Sequence, residues 1–248
     1  MSDFIWVGLP YIAFTFLVIG SAVRYTFFER RWTTKSSEFL EKKQLKWAGP
    51  LFHGALLCVF LGHVAGILVP QEVTEAFGVN EHLYHTGSLY GGGVAGVFFV
   101  IGFLLLMKRR FTSVYMKVNT STMDVWLFLF LGLTIFTGFA GTLLNADGAF
   151  NYREYIGPWF RGLLMLQPHP ELMANIPVIF KVHMLSWMIV AIIFPFTRLV
   201  HAFTAPLHYL FRPYIVYRSR DEDTRQSATR RGRGWDPVGT LDNQKPPR

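Results

Sequence analysis

Apolar runs alternate with polar connections from Phe4 to Pro206. Five of the runs are long enough to cross a bilayer, whose hydrocarbon core takes about 20 mostly apolar residues as a helix. They are Phe4–Val23, Leu51–Val69, about Ser88–Met107, about Asp124–Leu144 and Val178–Pro206. The pattern predicts an all-α integral membrane protein, a bundle of five transmembrane helices. Pro10 predicts a kink near one end of the first helix, while Pro50 and Pro70 bound the second. The 33-residue connection Asn145–Pro177 mixes Tyr155, Ile156, Trp159, Phe160, Leu163, Leu164 and Leu166 with Arg153, Arg161 and Gln167. That mixture predicts a short amphipathic helix, about Tyr155–Leu166, lying on the membrane surface.

The connections differ in charge, and the difference gives an orientation. Arg24–Lys46 holds seven Lys/Arg against three acids, and Lys108, Arg109, Arg110 and Lys117 follow the third run. Pro70–Tyr90 has no Lys or Arg, and Asn145–Pro177 has only Arg153 and Arg161. Eleven basic residues therefore lie on one side of the bundle and two on the other, which places the N-terminus outside and the C-terminus in the cytoplasm. The opening Met-Ser-Asp has no positive region and no small-residue cleavage site follows, so the first run reads as a retained helix rather than a signal peptide.

A net charge of +8 raises the question of nucleic acid, but the loops and a polar tail account for it, and no nucleic-acid partner is expected. The tail Asp221–Arg248 lacks apolar periodicity and reads as a solvated segment drawn to anionic lipid or to an acidic partner. The expected division is a five-helix transmembrane domain over 1–217 and a basic, mobile cytoplasmic tail over 218–248. With 51% hydrophobic and 17% aromatic residues the chain is not an ordinary soluble domain.

The chemistry sits in four of the eight histidines, which fall in only two of the runs. An ionisable side chain inside a membrane is costly and marks function by default. His183 and His201 are 18 residues apart; in a straight helix that is about five turns and about 27 Å, with both rings on one face. His53 and His63 are ten residues apart, about 15 Å. If the two runs are antiparallel the depths agree. His63 lies seven residues before Pro70 and His183 six after Pro177, whereas His53 lies three after Pro50 and His201 five before Pro206. Two histidines facing each other at each of two depths are what two six-coordinate haems require.

Other readings of the same residues stay open. Any single one of these histidines could be a hydrogen-bonded packing residue. A structural zinc wants four close ligands, and each depth offers two, with no cysteine or carboxylate beside them. A proton or metal transporter using histidine relays would be expected to show internal repeats, and none is visible. The single cysteine, Cys58, excludes both a disulfide framework and C-x-x-C-H attachment, so any haem is held non-covalently.

Smaller features bear on the same site. Gly62 and Gly66 flank His63 and Gly54 follows His53, which leaves room for a flat macrocycle or simply serves helix packing. The unequal spacings, about 15 against about 27 Å, call for tilt or for a kink at Pro195. Arg198, one turn from His201, together with Arg24, Arg109, Arg110 and Lys181, are candidate partners for haem propionates. Snorkelling to the interface explains them equally well.

These residues resemble the gamma subunit of the membrane-bound respiratory nitrate reductase, a five-span dihaem b cytochrome. The resemblance covers about residues 4–217. It rests on LFH-x9-H, from Leu51-Phe52-His53 to His63 and closing at Pro70, and on FPFTRLVH, Phe194–His201, with His183 eighteen residues before its end. Arg24-Tyr25, the Gly91–Gly96 cluster, Lys108-Arg109-Arg110 and Pro206 with Tyr209-Leu210 are weaker echoes. The resemblance implies a membrane anchor that oxidises quinol near an outer haem and sends electrons inward through a second haem. The electrons go on to an iron–sulfur subunit and a molybdenum subunit on the cytoplasmic side. By position, His63 and His183 would hold the outer haem b, and His53 and His201 the inner one. A related dihaem subunit of a sulfur-metabolising complex would share these features. One departure concerns the substrate: family members carry a lysine before the third span, thought to meet the quinol, and Pro70–Met107 has none. His82, Tyr84 and His85 stand nearby as quinol contacts, a histidine being the better proton acceptor near neutral pH. The long basic tail is the second departure.

Overall fold

The structure, a computed structural model, describes residues 3–27 and 40–203. Residues 28–39 of the first basic connection, the tail 218–248, and Pro206 with Tyr209-Leu210 lie outside the described residues. The elements in chain order are α1 (Phe4–Phe27), α2 (Leu45–Leu68), α3 (Gln71–Ala76), α4 (Glu81–Thr112), α5 (Val114–Val118), α6 (Thr122–Leu144), α7 (Tyr152–Leu164) and α8 (Val178–Ile193). Among the described residues there is no strand. α1, α2, α4, α6, and α8 with its extension to Phe196, are the five helices long and apolar enough to cross a membrane.

The boundaries depart from the sequence pattern where local chemistry intervenes. In α1 the proline effect takes the form of a change in winding. Phe4–Gly8 is a wide π turn, and Pro10 sits at the start of the regular segment Leu9–Thr15 that follows. α2 begins at Leu45 rather than Leu51, with Pro50 inside it; near a helix start a missing N–H forfeits a single ladder bond. α2 then widens into a π turn over Val64–Leu68 and stops at extended Val69 and Pro70. The expected loop Pro70–Tyr90 is mostly helical. α3 is followed by a turn at Gly78, whose φ of +80° favours glycine, and Asn80 then caps α4 by accepting the Leu83 N–H. His82, Tyr84 and His85 therefore lie on the first turns of a helix and not in a loop.

The largest correction concerns the fifth span, which is not one straight helix to Pro206. α8 gives way to a 3₁₀ turn over Phe194–Phe196, Thr197 is extended at φ −108° and ψ 179°, and a second 3₁₀ turn, Arg198–Ala202, carries His201. Pro195 causes the break, since it offers no N–H to the preceding turn. The Arg24 guanidinium on α1 donates to the Pro195 carbonyl at that point. With the helix broken, the straight-helix spacing of His183 and His201 on one face no longer applies.

Two packed clusters organise the bundle. Phe52 and Ala55 of α2, Phe99 and Phe103 of α4 and Ile135 of α6 form one. Trp6 and Ala13 of α1, Ile156, Trp159 and Leu163 of α7, Met173, Ile176, and Met188 and Ala191 of α8 form the other. Between helices in lipid the attraction comes from close packing rather than from the hydrophobic effect. Gly102 shows how close: a Cβ there would stand 2.9 Å from the Phe52 backbone. α2 leans on α4 and α8 on α6 and α1, so the two histidine-bearing helices are each held by other neighbours rather than packed closely on one another.

α7 is amphipathic as expected, but its apolar face is turned into protein rather than lipid. Trp159 is 2% and Leu163 1% exposed. The Trp159 indole N–H donates to the Trp6 carbonyl at 2.9 Å, and Arg161 donates to the Ile67 carbonyl at 2.8 Å. The helix thereby caps the end of the bundle where α2 finishes.

Candidate functional site

The fold brings the four histidines together in two pairs. The His63 and His183 ring centroids are 6.0 Å apart, and those of His53 and His201 5.9 Å. An imidazole nitrogen binds a first-row metal at about 2 Å, so two imidazoles on opposite sides of one metal atom have centroids about 6 Å apart. The spacing suits one metal atom per pair.

The hydrogen bonds add a second condition. His53 Nδ1 meets the Gly49 carbonyl at 2.8 Å and His63 Nδ1 the Val59 carbonyl at 2.8 Å, each one turn back on α2. His183 Nδ1 meets the Thr134 carbonyl of α6 at 2.9 Å, and His201 Nδ1 the Arg198 carbonyl at 2.6 Å. A carbonyl only accepts, so in each ring the proton sits on Nδ1 and Nε2 keeps its lone pair for a metal. Among the described residues no group of three or more His, Cys, Asp or Glu could hold a bare metal ion. Two imidazoles per site without further protein ligands fit haem, whose porphyrin supplies the other four donors.

The surroundings sort the remaining sequence candidates. A Cβ at Gly54 or Gly62 would meet nothing within 4 Å, so the backbone beside His53 and His63 is clear for a flat group. Gly66 differs: a Cβ there would stand 2.8 Å from the Tyr84 phenol oxygen and 3.0 Å from the Tyr152 ring, so that face is filled by side chains rather than left for a macrocycle. Arg198 is engaged elsewhere than expected. Its Nε and Nη2 donate to the two Asp124 oxygens at 2.7 and 3.0 Å, and Nη2 also to the Asn119 carbonyl at 2.7 Å. Asp124 belongs to the capping box that starts α6, so this pair ties the His201 turn to α6. Arg109 is held by Glu41, and Lys181 by the Ala174 carbonyl. Buried Arg110, close to Asp124 and Arg198, has an Nη1 with no hydrogen-bond partner among the described residues.

At the His63/His183 end, a cavity of about 290 Å³ is lined by Glu81, His82, Tyr84, His85, Ser88, Asp147 and Tyr152, among others. The three sequence candidates for quinol contact thus share one cleft. His82 is exposed at it, and His85 Nε2 reaches the Ala146 carbonyl at 3.3 Å. Sequence reasoning missed Tyr152, Ser88 and the role of Arg153. Buried Arg153 stacks its guanidinium 3.8 Å over the Tyr84 ring while donating to Glu81 and Thr74. A basic residue inside an amphipathic segment was the available signal, but it reads as a solvated face until α7 is seen to turn inward. Gly138 was also missed: a Cβ on it would stand 2.7 Å from His183 Cε1, so its bareness seats that ring.

The family profile described as nitrate reductase gamma subunit matches residues 2–220. The chain belongs to the nitrate reductase gamma subunit family. It is 42% identical over 220 residues to the nitrate reductase gamma chain of Bacillus subtilis, covering 88% of this chain and 99% of that one. To the respiratory nitrate reductase 1 gamma chain of Escherichia coli it is 31% identical over 215 residues, 85% of this chain and 94% of that one. It is also 40% identical over 235 residues, 94% of its length, to the nitrate reductase-like protein NarX of Mycobacterium tuberculosis, of which it spans only 36%. Five spans and bacterial gamma-chain relatives make this family member a multi-pass protein of the bacterial cytoplasmic membrane.

Proposed function

We propose that this gamma subunit homologue is the membrane anchor and quinol-oxidising cytochrome b subunit of a nitrate reductase complex. One haem b is held by His63 and His183 and a second by His53 and His201. The observation that carries this reading is the donor set: four rings in two pairs with centroids about 6 Å apart, each with Nδ1 committed to a backbone carbonyl. Gly54 and Gly62 leave the backbone clear, and the Nη1 of Arg110, without a hydrogen-bond partner among the described residues, suits a propionate at the His53/His201 end. Bound there, the haems supply a one-electron path from quinol at one membrane face to an iron–sulfur subunit, and through it a molybdenum subunit, at the other.

The charge pattern favours the His63/His183 end outside, with the C-terminus, the basic connections and the tail 218–248 in the cytoplasm, where partner subunits dock. Residues 1–217 form the transmembrane domain. Quinol sits in the cleft at the outer end, which combines the apolar surfaces of Phe150 and the Tyr152 ring with proton-accepting side chains. His82, Tyr84 and His85 orient its hydroxyls in place of the lysine this chain lacks.

Purified chain should contain two haems per polypeptide, both removed by acidic organic solvent; a ratio near one would overturn the two-site reading. His63→Ala should abolish quinol reduction of the remaining haem, whereas His201→Ala should leave the outer haem reducible. Rapid quinol reduction in the His63→Ala protein would place the quinol site at the other face.

A further inference from the structure

Three of the four paired histidine rings hydrogen-bond within their own stretch of chain, to the Gly49, Val59 and Arg198 carbonyls. The His183 ring instead meets a carbonyl on another helix, that of Thr134 on α6, at 2.9 Å. This bond therefore depends on how closely α6 and α8 approach. A second contact between the same two turns sets that approach. The Thr134 hydroxyl donates to Ser186 Oγ at 3.0 Å, and the Ser186 hydroxyl donates to the His183 carbonyl at 2.7 Å. Thr134 thus holds His183 twice, by its carbonyl at the ring and through Ser186 at the backbone.

We propose that Ser186 and Thr134 are positioning residues, whose hydroxyl bridge keeps the His183 Nδ1–H against the Thr134 carbonyl and so sets the redox balance of the His63/His183 site. The inference rests on the function proposed above and adds what tunes one of its two haems. Ser186 is 1% exposed, out of reach of lipid and solvent, and hydroxyls so placed between spans join helices by hydrogen bonds. The Thr134 hydroxyl has a second acceptor, the Phe130 carbonyl at 2.8 Å. If its proton turns there, Ser186 can donate to Thr134 Oγ1 instead, and the bond between the helices survives. Gly138 permits the close approach, since a Cβ there would stand 2.7 Å from His183 Cε1.

A ring whose Nδ1–H donates to a carbonyl is a stronger ligand at Nε2. A stronger imidazole ligand favours ferric over ferrous iron, and hydrogen bonding around the axial ligands is one of the protein's levers on haem potential. Loosening α8 from α6 would weaken the His183 bond and move the balance toward ferrous. The rings of His53, His63 and His201 carry their acceptors on their own backbone, so the same loosening leaves their bonds intact. The bridge therefore acts on one site and spares the other.

The test uses the haem-loaded full chain in lipid vesicles, titrated with redox mediators while both spectral components are followed. Ser186→Ala removes the bridge, as does Thr134→Val, which keeps the branched shape; Thr134→Ser retains it. Each removal should shift the ferric-to-ferrous ratio of the His63/His183 component about tenfold toward ferrous, the low end for losing a group that orients a metal ligand. For one electron that is about 59 mV upward. The His53/His201 component should move less than about twofold, as should both components in Thr134→Ser. An unmoved His63/His183 component in both removal variants would overturn the inference. So would equal movement of both components, the mark of a loosened bundle. If Ser186→Ala loses that component, Thr134→Val asks the same question without leaving a cavity; loss there too would make the hydroxyls purely structural and overturn the tuning. If His183→Ala kept both components, the haem reading itself would fail. Unmoved potentials, with His183→Ala lacking its component, would sink only the bridge.

Discussion

The two histidine pairs have nearly the same ring separation, and the chain reaches it by different means. At the His63/His183 end both histidine-bearing segments are continuous helix. His183 is held by α6, through the Thr134 carbonyl and the bare backbone of Gly138, and α7 closes over that end of the bundle. At the His53/His201 end the fifth span has come apart. There His201 sits on a 3₁₀ turn beyond an extended Thr197, and an ion pair between Arg198 and Asp124 holds the turn against α6. The first site is therefore set by packing and the second by electrostatics. The difference follows from Pro195, because a chain that cannot continue a helix needs some other anchor for what comes next.

Breaking the ion pair should give the largest effect and should separate the two sites. Asp124→Ala leaves Arg198 without its carboxylate, and losing one partner of such a buried pair costs about 3–5 kcal/mol. The expected result is selective loss of the spectral component belonging to His53 and His201, read in the dithionite-reduced spectrum, with the other component intact. Equal loss of both would mean that Asp124 supports the bundle as a whole. Gly138→Ala tests the packed site with a smaller perturbation. The added methyl meets His183 at 2.7 Å, and overpacking of this kind costs about 1–3 kcal/mol. A weakened or shifted His63/His183 component is expected, with the other unmoved. The smallest effect belongs to Thr137→Val. Its hydroxyl reaches His183 Nδ1 only at 3.4 Å, while the Thr134 carbonyl is at 2.9 Å, so under about 1 kcal/mol is at stake and the spectrum should hardly change. A clear shift would show that the hydroxyl, and not the carbonyl, orients the ring.

Much of this arrangement was legible in the sequence, for identifiable reasons. Apolar runs report bilayer crossing directly, and prolines at run ends gave depths close enough to match His63 with His183 and His53 with His201. Proline position was a poorer guide to helix boundaries. Pro50 lies inside α2 because a helix tolerates proline near its start, and Pro195 disrupts the fifth span more thoroughly than a kink. Asn80 followed by Glu81 is a helix-start pattern that places His82, Tyr84 and His85 on α4, although the polar composition of that stretch suggests a loop. What could not be read were the contacts that support those pairs and the cleft beside them. Asp124 with Arg198, Gly138 under His183, and Tyr84 with Tyr152 across Gly66 each depend on tertiary approach, which no local periodicity encodes.

The central claim is that ligation follows the pairs seen in the fold, and single-ligand spectra test it most directly. His63→Ala and His183→Ala should each delete one and the same α-band component from the low-temperature reduced spectrum, and His53→Ala and His201→Ala should each delete the other. If His63→Ala and His53→Ala removed the same component, or if any of the four left both components in place, the pairing would be contradicted.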